Sequence, residues 1–322
     1  MSASGSMRAI VAALAANIGI AITKFIAAAI SGSASMLAEA IHSVADSGNQ
    51  FLLIIGGRRS RRAATAAHPF GYGRSRFIYA FMVSIVLFSI GGMFSIFEGF
   101  SKLNEPHELD NAWLPLVVLG VSIVLESFSL RTALREAKKM RGKSSLVKFI
   151  RHAKSPELPV VMLEDIAALV GLVFAFTGIM LTVVTHNPIF DAYGTLAIGA
   201  LLIAVAVILG IETSSLLIGE GASADDVALI RDALEVVVGK GGVIHMKTLY
   251  LGPEELMLGA KIAIAKDASG ADIAETIDAA EESVRNAVPA TRVIYLEPDI
   301  KRASPRKKPS AAKSTQPRAR QK

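Results

Sequence analysis

The stretch ASMLAEAIHSVADSGNQFLLIIG, residues 34–56, decides how this chain is read. It is long and apolar enough to cross a bilayer, which takes about 20 residues, yet it carries Glu39, His42, Asp46 and Asn49. Spacings of three and four put those side chains on one helix face. An ionisable group at membrane depth costs roughly 2.5–3.5 kcal/mol on insertion scales, so such a seam must face the protein interior or a water-filled cavity. Imidazole and carboxylate four residues apart, as in His42 and Asp46, suit a borderline divalent ion, zinc first.

A site needs ligands from a second helix, and Glu164-Asp165 supplies them inside the otherwise apolar stretch 160–174. Neighbouring helical residues point about 100° apart, so one of the two is expected to reach a metal and the other to support it or pair with a basic group. An isolated histidine in a membrane helix is often a hydrogen-bonded packing residue. A His/Asp pair with a second buried carboxylate favours a metal or proton pathway. The same groups bind either a metal or protons, so metal release can be linked to proton uptake.

The rest of the chain fits a membrane protein. Hydrophobic residues make up 52% of 322 positions, and the mean hydropathy is +0.47. With no cysteine, disulfides and thiolate metal sites are excluded. Six apolar segments run at about 9–30, 34–56, 77–100, 113–134, 158–184 and 189–211. The connection after the second holds Arg58, Arg59, Arg61, Arg62, Arg74 and Arg76, and the fourth holds nine basic residues from Arg131 to Lys154. The positive-inside rule makes both cytoplasmic, so six crossings put both termini in the cytoplasm of a multi-pass protein of the cell (inner) membrane. The first apolar run, preceded only by Arg8, reads as a retained helix and not a signal peptide.

Past residue 212 the pattern changes. An amphipathic helix at 222–238, strands near 243–250 and 256–265, a helix from about Gly270 to Ala287 and a strand at 291–296 give αββαβ, a small two-layer α+β domain. The expected organisation is a short N-terminal segment (1–8), a six-helix transport domain (9–212), a cytoplasmic domain (213–300) and a basic disordered tail (301–322). That tail holds nine of the 34 Lys and Arg residues and no acid; without it, 25 basic residues face 28 acidic ones, and the overall +6 becomes −3. No aromatic residues interleave its charges, so membrane lipid head groups, and not nucleic acid, are its expected partner.

These residues resemble the cation diffusion facilitator family of metal/proton antiporters. The match takes in Asn17, Lys24 and Ser31-Gly32-Ser33, then the run from Met36 to Ser47. It continues through His68-Pro69-Phe70-Gly71-Tyr72-Gly73-Arg74, Asp191 and Tyr295-Leu296-Glu297-Pro298. The resemblance implies a homodimeric six-helix transporter with a cytoplasmic ferredoxin-like domain. It also implies a central site with two ligands from helix two, here His42 and Asp46, and two from helix five. Asp165 matches one of the latter; the other position, four earlier, is Val161. The fourth ligand is then Glu164, Asn49, water or nothing. Leu163-Glu164-Asp165 resembles the branch that contains animal zinc transporter 9. In the loop after helix two His68 is present, but Tyr72 stands where the family often has histidine, so a second metal site there is not expected. The single histidine of the soluble domain, His245, argues against a strong site in that domain.

Glu39 and Asp191 are expected to serve the pathway or support the ligands, with capping the other reading for Asp191 and a loop turn the other reading for His68. Glu98 and Glu126 are expected at helix ends, in interhelix or interface roles. The leading function is a proton-coupled divalent cation transporter, exporting zinc first, with iron(II), cobalt and manganese open. No prosthetic group is expected. An intramembrane metallohydrolase is disfavoured, because no two of the six histidines lie four apart as His-Glu-x-x-His requires. The alternative is a transport-deficient membrane metal-binding or regulatory protein acting through its cytoplasmic domain.

Overall fold

A computed structural model describes the backbone of residues 3–300, apart from 107, 110, 142–144, 147–149 and 151–152. Side chains are described from residue 17 onward, apart from those positions, 136 and 139–141. The expected basic tail lies outside the described residues.

Six long helices come first: α1 (Ala3–Ser31), α2 (Ala34–Ser60), α3 (Ser75–Asn104), α4 (Trp113–Arg141), α5 (Glu157–Thr185) and α6 (Ile189–Ile218). The break between α1 and α2 is made by Gly32, at φ +66, a left-handed conformation that costs glycine little. Ser33 then caps α2, its hydroxyl accepting from the Met36 N–H at 3.1 Å. In α3 the ladder widens to a π-helical turn over Leu87–Met93. Such turns are rare and cluster at functional places in helices.

Among the described residues four helices, α3 to α6, are long and apolar enough to cross a membrane by length and composition. Among its described residues α1 contributes a shorter apolar stretch, Asn17–Ser31. The polar seam and terminal arginines of α2 hold its mean hydropathy down.

Within the bundle α2 touches α1, α3, α5 and α6, and α4 packs against α1 and α5. Met36, Ala38, Leu87, Leu172, Ile198 and Leu202 form its dry interior. Phe97, Phe128 and Ile211 are exposed on the outside. A soluble monomer rarely presents such a surface continuously; a lipid-facing one requires it.

The chain divides into two compact units: residues 1–223 with 248–257 and 290–293, and residues 224–247, 258–289 and 294–322. The C-terminal elements are α7 (Ala224–Val238), β1 (Val243–Gly252), β2 (Glu255–Ala263), α8 (Gly270–Ala287) and β3 (Thr291–Asp299), with a three-stranded sheet in the order β1-β2-β3. In β2 Leu258, Ala260 and Ile262 alternate inward. In the second unit α7 packs on α8, with Ile230, Leu234, Ala280 and Val284 buried.

Candidate metal centre

The seam read from the sequence lies on α2 and is buried. Glu39 and Asn49 are fully buried, His42 is 1% exposed and Asp46 is half-buried. His42 Nε2 stands 3.6 Å from Asp46 Oδ2, beyond hydrogen-bond range. Five buried acceptor or donor atoms on this one face have no hydrogen-bond partner: Glu39 Oε1, both His42 ring nitrogens, Asp46 Oδ1 and Asn49 Oδ1. More than nine in ten buried polar groups in folded proteins are satisfied, so a row of orphans calls for a ligand or water.

Three of the neighbouring helices meet the seam. From α1, Lys24 Nζ reaches Glu39 Oε2 at 3.1 Å and donates to Ser43 Oγ at 2.9 Å. From α5, Glu164 Oε1 accepts from Asn49 Nδ2 at 2.7 Å. Gly171 of α5 lies so close that a Cβ there would stand 2.6 Å from Glu39 Oε1. From the π turn of α3, a Cβ on Gly91 would come within 4.0 Å of His42 Nδ1. Small residues on α3 and α5 therefore let backbone approach the polar face.

The expected ligands are brought to one region but not closed on a single point. Asp165 is half-buried and turns to α4, accepting from Ser129 Oγ at 3.0 Å. Glu164 turns instead to Asn49. Among the described residues no three His, Asp or Glu side chains converge at metal-binding distance. The conformation has His42 and Asp46 paired on α2 and the two α5 carboxylates held by separate partners.

Two residues of the wider set have other places. Asp191 of α6 is buried against the start of α2. Its carboxylate accepts from Ser33 Oγ at 2.8 Å, the Ala34 N–H at 2.7 Å, the Ser35 N–H at 3.3 Å and the Ser35 hydroxyl. It caps, as one reading had it, but the helix it caps is α2 and not its own. A carboxylate there answers the free N–H groups and positive end of that helix. His68 is in the exposed loop after α2, bridged to Thr65 and packed at a tilt against Tyr72 with ring centroids 4.5 Å apart, away from the buried seam.

Three participants were not singled out for a role from the sequence: Lys24, Ser129 and Gly171. Lys24 was findable by the logic that found His42, as a charge inside an apolar run. Ser129 and Gly171 carry no such signal. Glu126 was expected near a helix end; it stands in the middle of α4, because that helix extends to Arg141.

The chain matches the cation efflux transmembrane domain over residues 10–218. It is 32% identical over 241 residues to the proton-coupled zinc antiporter SLC30A9, mitochondrial, of Xenopus laevis, covering 74% of this chain and 43% of that protein. The human protein of the same name is 31% identical over 241 residues, covering 74% and 42%. Metal tolerance protein C4 of Arabidopsis thaliana is 32% identical over 259 residues, covering 80% and 57%. The chain thus spans less than half the length of the SLC30A9 relatives. With its helical bundle and α2 seam, the chain belongs to the cation efflux, or cation diffusion facilitator, family, on its SLC30A9-like branch.

Proposed function

We propose that this chain is a proton-coupled divalent cation transporter that exports its cargo from the cytoplasm, zinc before iron(II), cobalt or manganese. The observation that carries the reading is the row of unpartnered buried atoms on α2, from Glu39 Oε1 through His42 and Asp46 to Asn49 Oδ1. A hydrated or directly bound cation supplies what those acceptors lack. His42, Asp46 and Asp165 are the ligands of this reading, with Glu164 or Asn49 as the nearby fourth. The names of the SLC30A9 relatives, proton-coupled zinc antiporters, support both the cargo and the coupling.

The working cycle follows from the chemistry of the donors. Imidazole and carboxylate bind a metal only when deprotonated, so protons arriving from the far side compete the ion away and return in its place. Closing Asp165 onto the His42–Asp46 pair requires it to leave Ser129, a local rearrangement that could accompany helix rocking. In this reading α1 and α2 also span the membrane, giving six crossings with both termini cytoplasmic. Two copies form a homodimer in the cell membrane.

Uptake of zinc, iron(II), cobalt and manganese into proteoliposomes under a pH gradient tests it. Flux should vanish in His42→Ala, Asp46→Ala and Asp165→Ala. Flux persisting unchanged in all three would overturn the site. One observation favours the alternative of a transport-deficient membrane metal-binding or regulatory protein: Val161 stands where the family has a further helix-five ligand. Metal binding without flux in the unaltered protein would establish that alternative.

A further inference from the structure

We infer that a cavity at the arginine-bearing ends of α2 and α3 binds one anionic phospholipid, its phosphate on Arg59 and Arg74 and an acyl chain along α3. The inference goes beyond the transport reading and does not depend on the cargo. The cavity measures about 700 Å³, within the range of roughly 300–1,000 Å³ usual for small-molecule sites. The residues lining it all belong to the first compact unit. Arg59 stands at the end of α2 and Arg74 just before α3. No aspartate or glutamate among the described residues lines the cavity, so its wall does not neutralise the two guanidinium groups. The Nε of Arg74 is buried and has no hydrogen-bond partner. Buried donors are normally satisfied, and the planar fork of an arginine matches a phosphate.

The wall below the arginines fits a lipid better than a free anion. Arg74, Ile78 and Met82 follow one another at intervals of four, a stripe down α3, and all three line the cavity. Ile78 and Met82 are exposed, so this side opens outward. The apolar span of α3 begins at Ser75, which puts Arg74 at the level of the head groups. From Arg74 to Met82 the stripe runs about 12 Å at 1.5 Å per residue, most of one leaflet of a hydrocarbon core about 30 Å thick. Tyr79 closes the back, pressed so near α2 that a Cβ on Gly56 would stand 2.8 Å from its own. At the polar end the loop before α3 is equally close to β1: a Cβ on Gly73 would stand 2.8 Å from the carbonyl oxygen of Leu251, itself a lining residue.

Charge argues against the other occupants. The stretch beyond residue 300 would bring lysines and arginines to a wall that already carries two arginines. A second copy docking about a twofold axis presents the same patch, so arginine would face arginine. An anionic phospholipid complements both ends of the cavity. Its phosphate accepts charge-assisted hydrogen bonds from guanidinium groups, and its chain covers Ile78 and Met82. Attraction to an anionic surface acts on every basic residue near it. A built site differs in being selective among them: Arg61 and Arg62 belong to the same basic connection but do not line the cavity.

The test is binding of dioleoylphosphatidylglycerol to the purified full chain in detergent, read by native mass spectrometry and by the lipid-induced rise in melting temperature. One lipid per chain should be retained, with saturable stabilisation. Dioleoylphosphatidylcholine and inorganic phosphate at the same concentrations should give neither. Arg59→Gln/Arg74→Gln should weaken phosphatidylglycerol binding about 10- to 100-fold, the worth of a hydrogen bond to a charged group. Arg61→Gln/Arg62→Gln, an equal loss of charge, should bind normally. Met82→Trp, which fills the apolar end and leaves every charge in place, should also weaken binding. Equal weakening in the two double variants would make the attraction a property of the loop's charge and overturn the inference. Inorganic phosphate stabilising as well as phosphatidylglycerol would make this a site for soluble anions and overturn the lipid. A dimer that retains no phosphatidylglycerol and dissociates in Met82→Trp would show that a second copy covers the cavity, and also overturns it. Unchanged lipid binding in Met82→Trp overturns the inference whether or not the arginine variant folds.

Discussion

Lys24 Nζ lies 3.1 Å from Glu39 Oε2, and both side chains are almost entirely buried. The pair ties α1 to the polar face of α2, one turn from His42. Two charges out of water gain little from each other, but stranding one of them is expensive, about 3–5 kcal/mol. Lys24→Met should therefore destabilise the protein by about that amount, read as a drop in melting temperature in detergent. The double variant Lys24→Met/Glu39→Gln should recover most of it. A double variant as unstable as Lys24→Met alone would show that lysine packing, and not charge, is what α1 supplies.

Asp191 acts by capping a helix across the bundle, so its loss should separate stability from metal binding. It accepts from the Ala34 and Ser35 N–H groups and from the hydroxyls of Ser33 and Ser35. Asp191→Ala removes a cap, at about 1–2 kcal/mol. The melting temperature should fall while zinc affinity, measured below the melting range, stays within about twofold of the unaltered protein, well short of the 10- to 100-fold that ligand support is worth. A larger fall in affinity would return Asp191 to the pathway.

The difference between what the sequence revealed and what it hid is a matter of range. The seam of α2 is legible because its contacts are set by helical period: Glu39, His42, Asp46 and Asn49 share a face wherever that helix is placed. The inward alternation of β2 is legible for the same kind of reason. Lateral pairing is not. Asn49 meets Glu164 across 115 positions, and Asp191 meets Ala34 across 157. Nothing local in either segment encodes the partner. The π turn at Leu87–Met93 is likewise silent, since a single widened turn leaves the hydrophobic pattern of α3 nearly intact. Glu126 is legible as a charge in an apolar run, but its mid-helix place is not, because the basic stretch past Arg131 has the composition of a connection and yet continues α4 to Arg141.

In the C-terminal unit, acid should loosen the start of α8. Ser269 and Asp272 form a reciprocal capping box, and the hydrogen bonds from the Ser269 hydroxyl and N–H hold the Asp272 carboxyl below its ordinary 3.8. A depressed folded value means the contribution is present above the unfolded value and is lost as pH falls below it. Hydrogen exchange at the first amides of α8 should accelerate, relative to the helix centre, as pH drops below about 4. Asp272→Asn should abolish that extra pH dependence. The sign reverses at Lys261, which Glu297 and Asp299 hold above its ordinary 10.5; its contribution is present at neutral pH and is lost as pH rises through the folded value.

Gly171 of α5 is packed closely against the polar face of α2. A methyl group there would stand 2.6 Å from Glu39 Oε1, inside van der Waals contact. Were that oxygen the loose end of a flexible side chain, it would swing aside at little cost. Its partner oxygen, however, is held by Lys24, so Glu39 can yield only by stretching the ion pair or pushing α5 away from α2. Gly171→Ala should cost about 1–3 kcal/mol, as overpacking of a filled interior does. The cost should shrink in a Lys24→Met background, where Glu39 is released. The two changes touch one carboxylate, so their effects should couple by about 0.5–3 kcal/mol. Melting temperatures of the four proteins in this cycle measure the coupling. Additive effects would mean that the crowding at Gly171 is relieved without moving Glu39, and that α5 is free to shift at this level of the membrane.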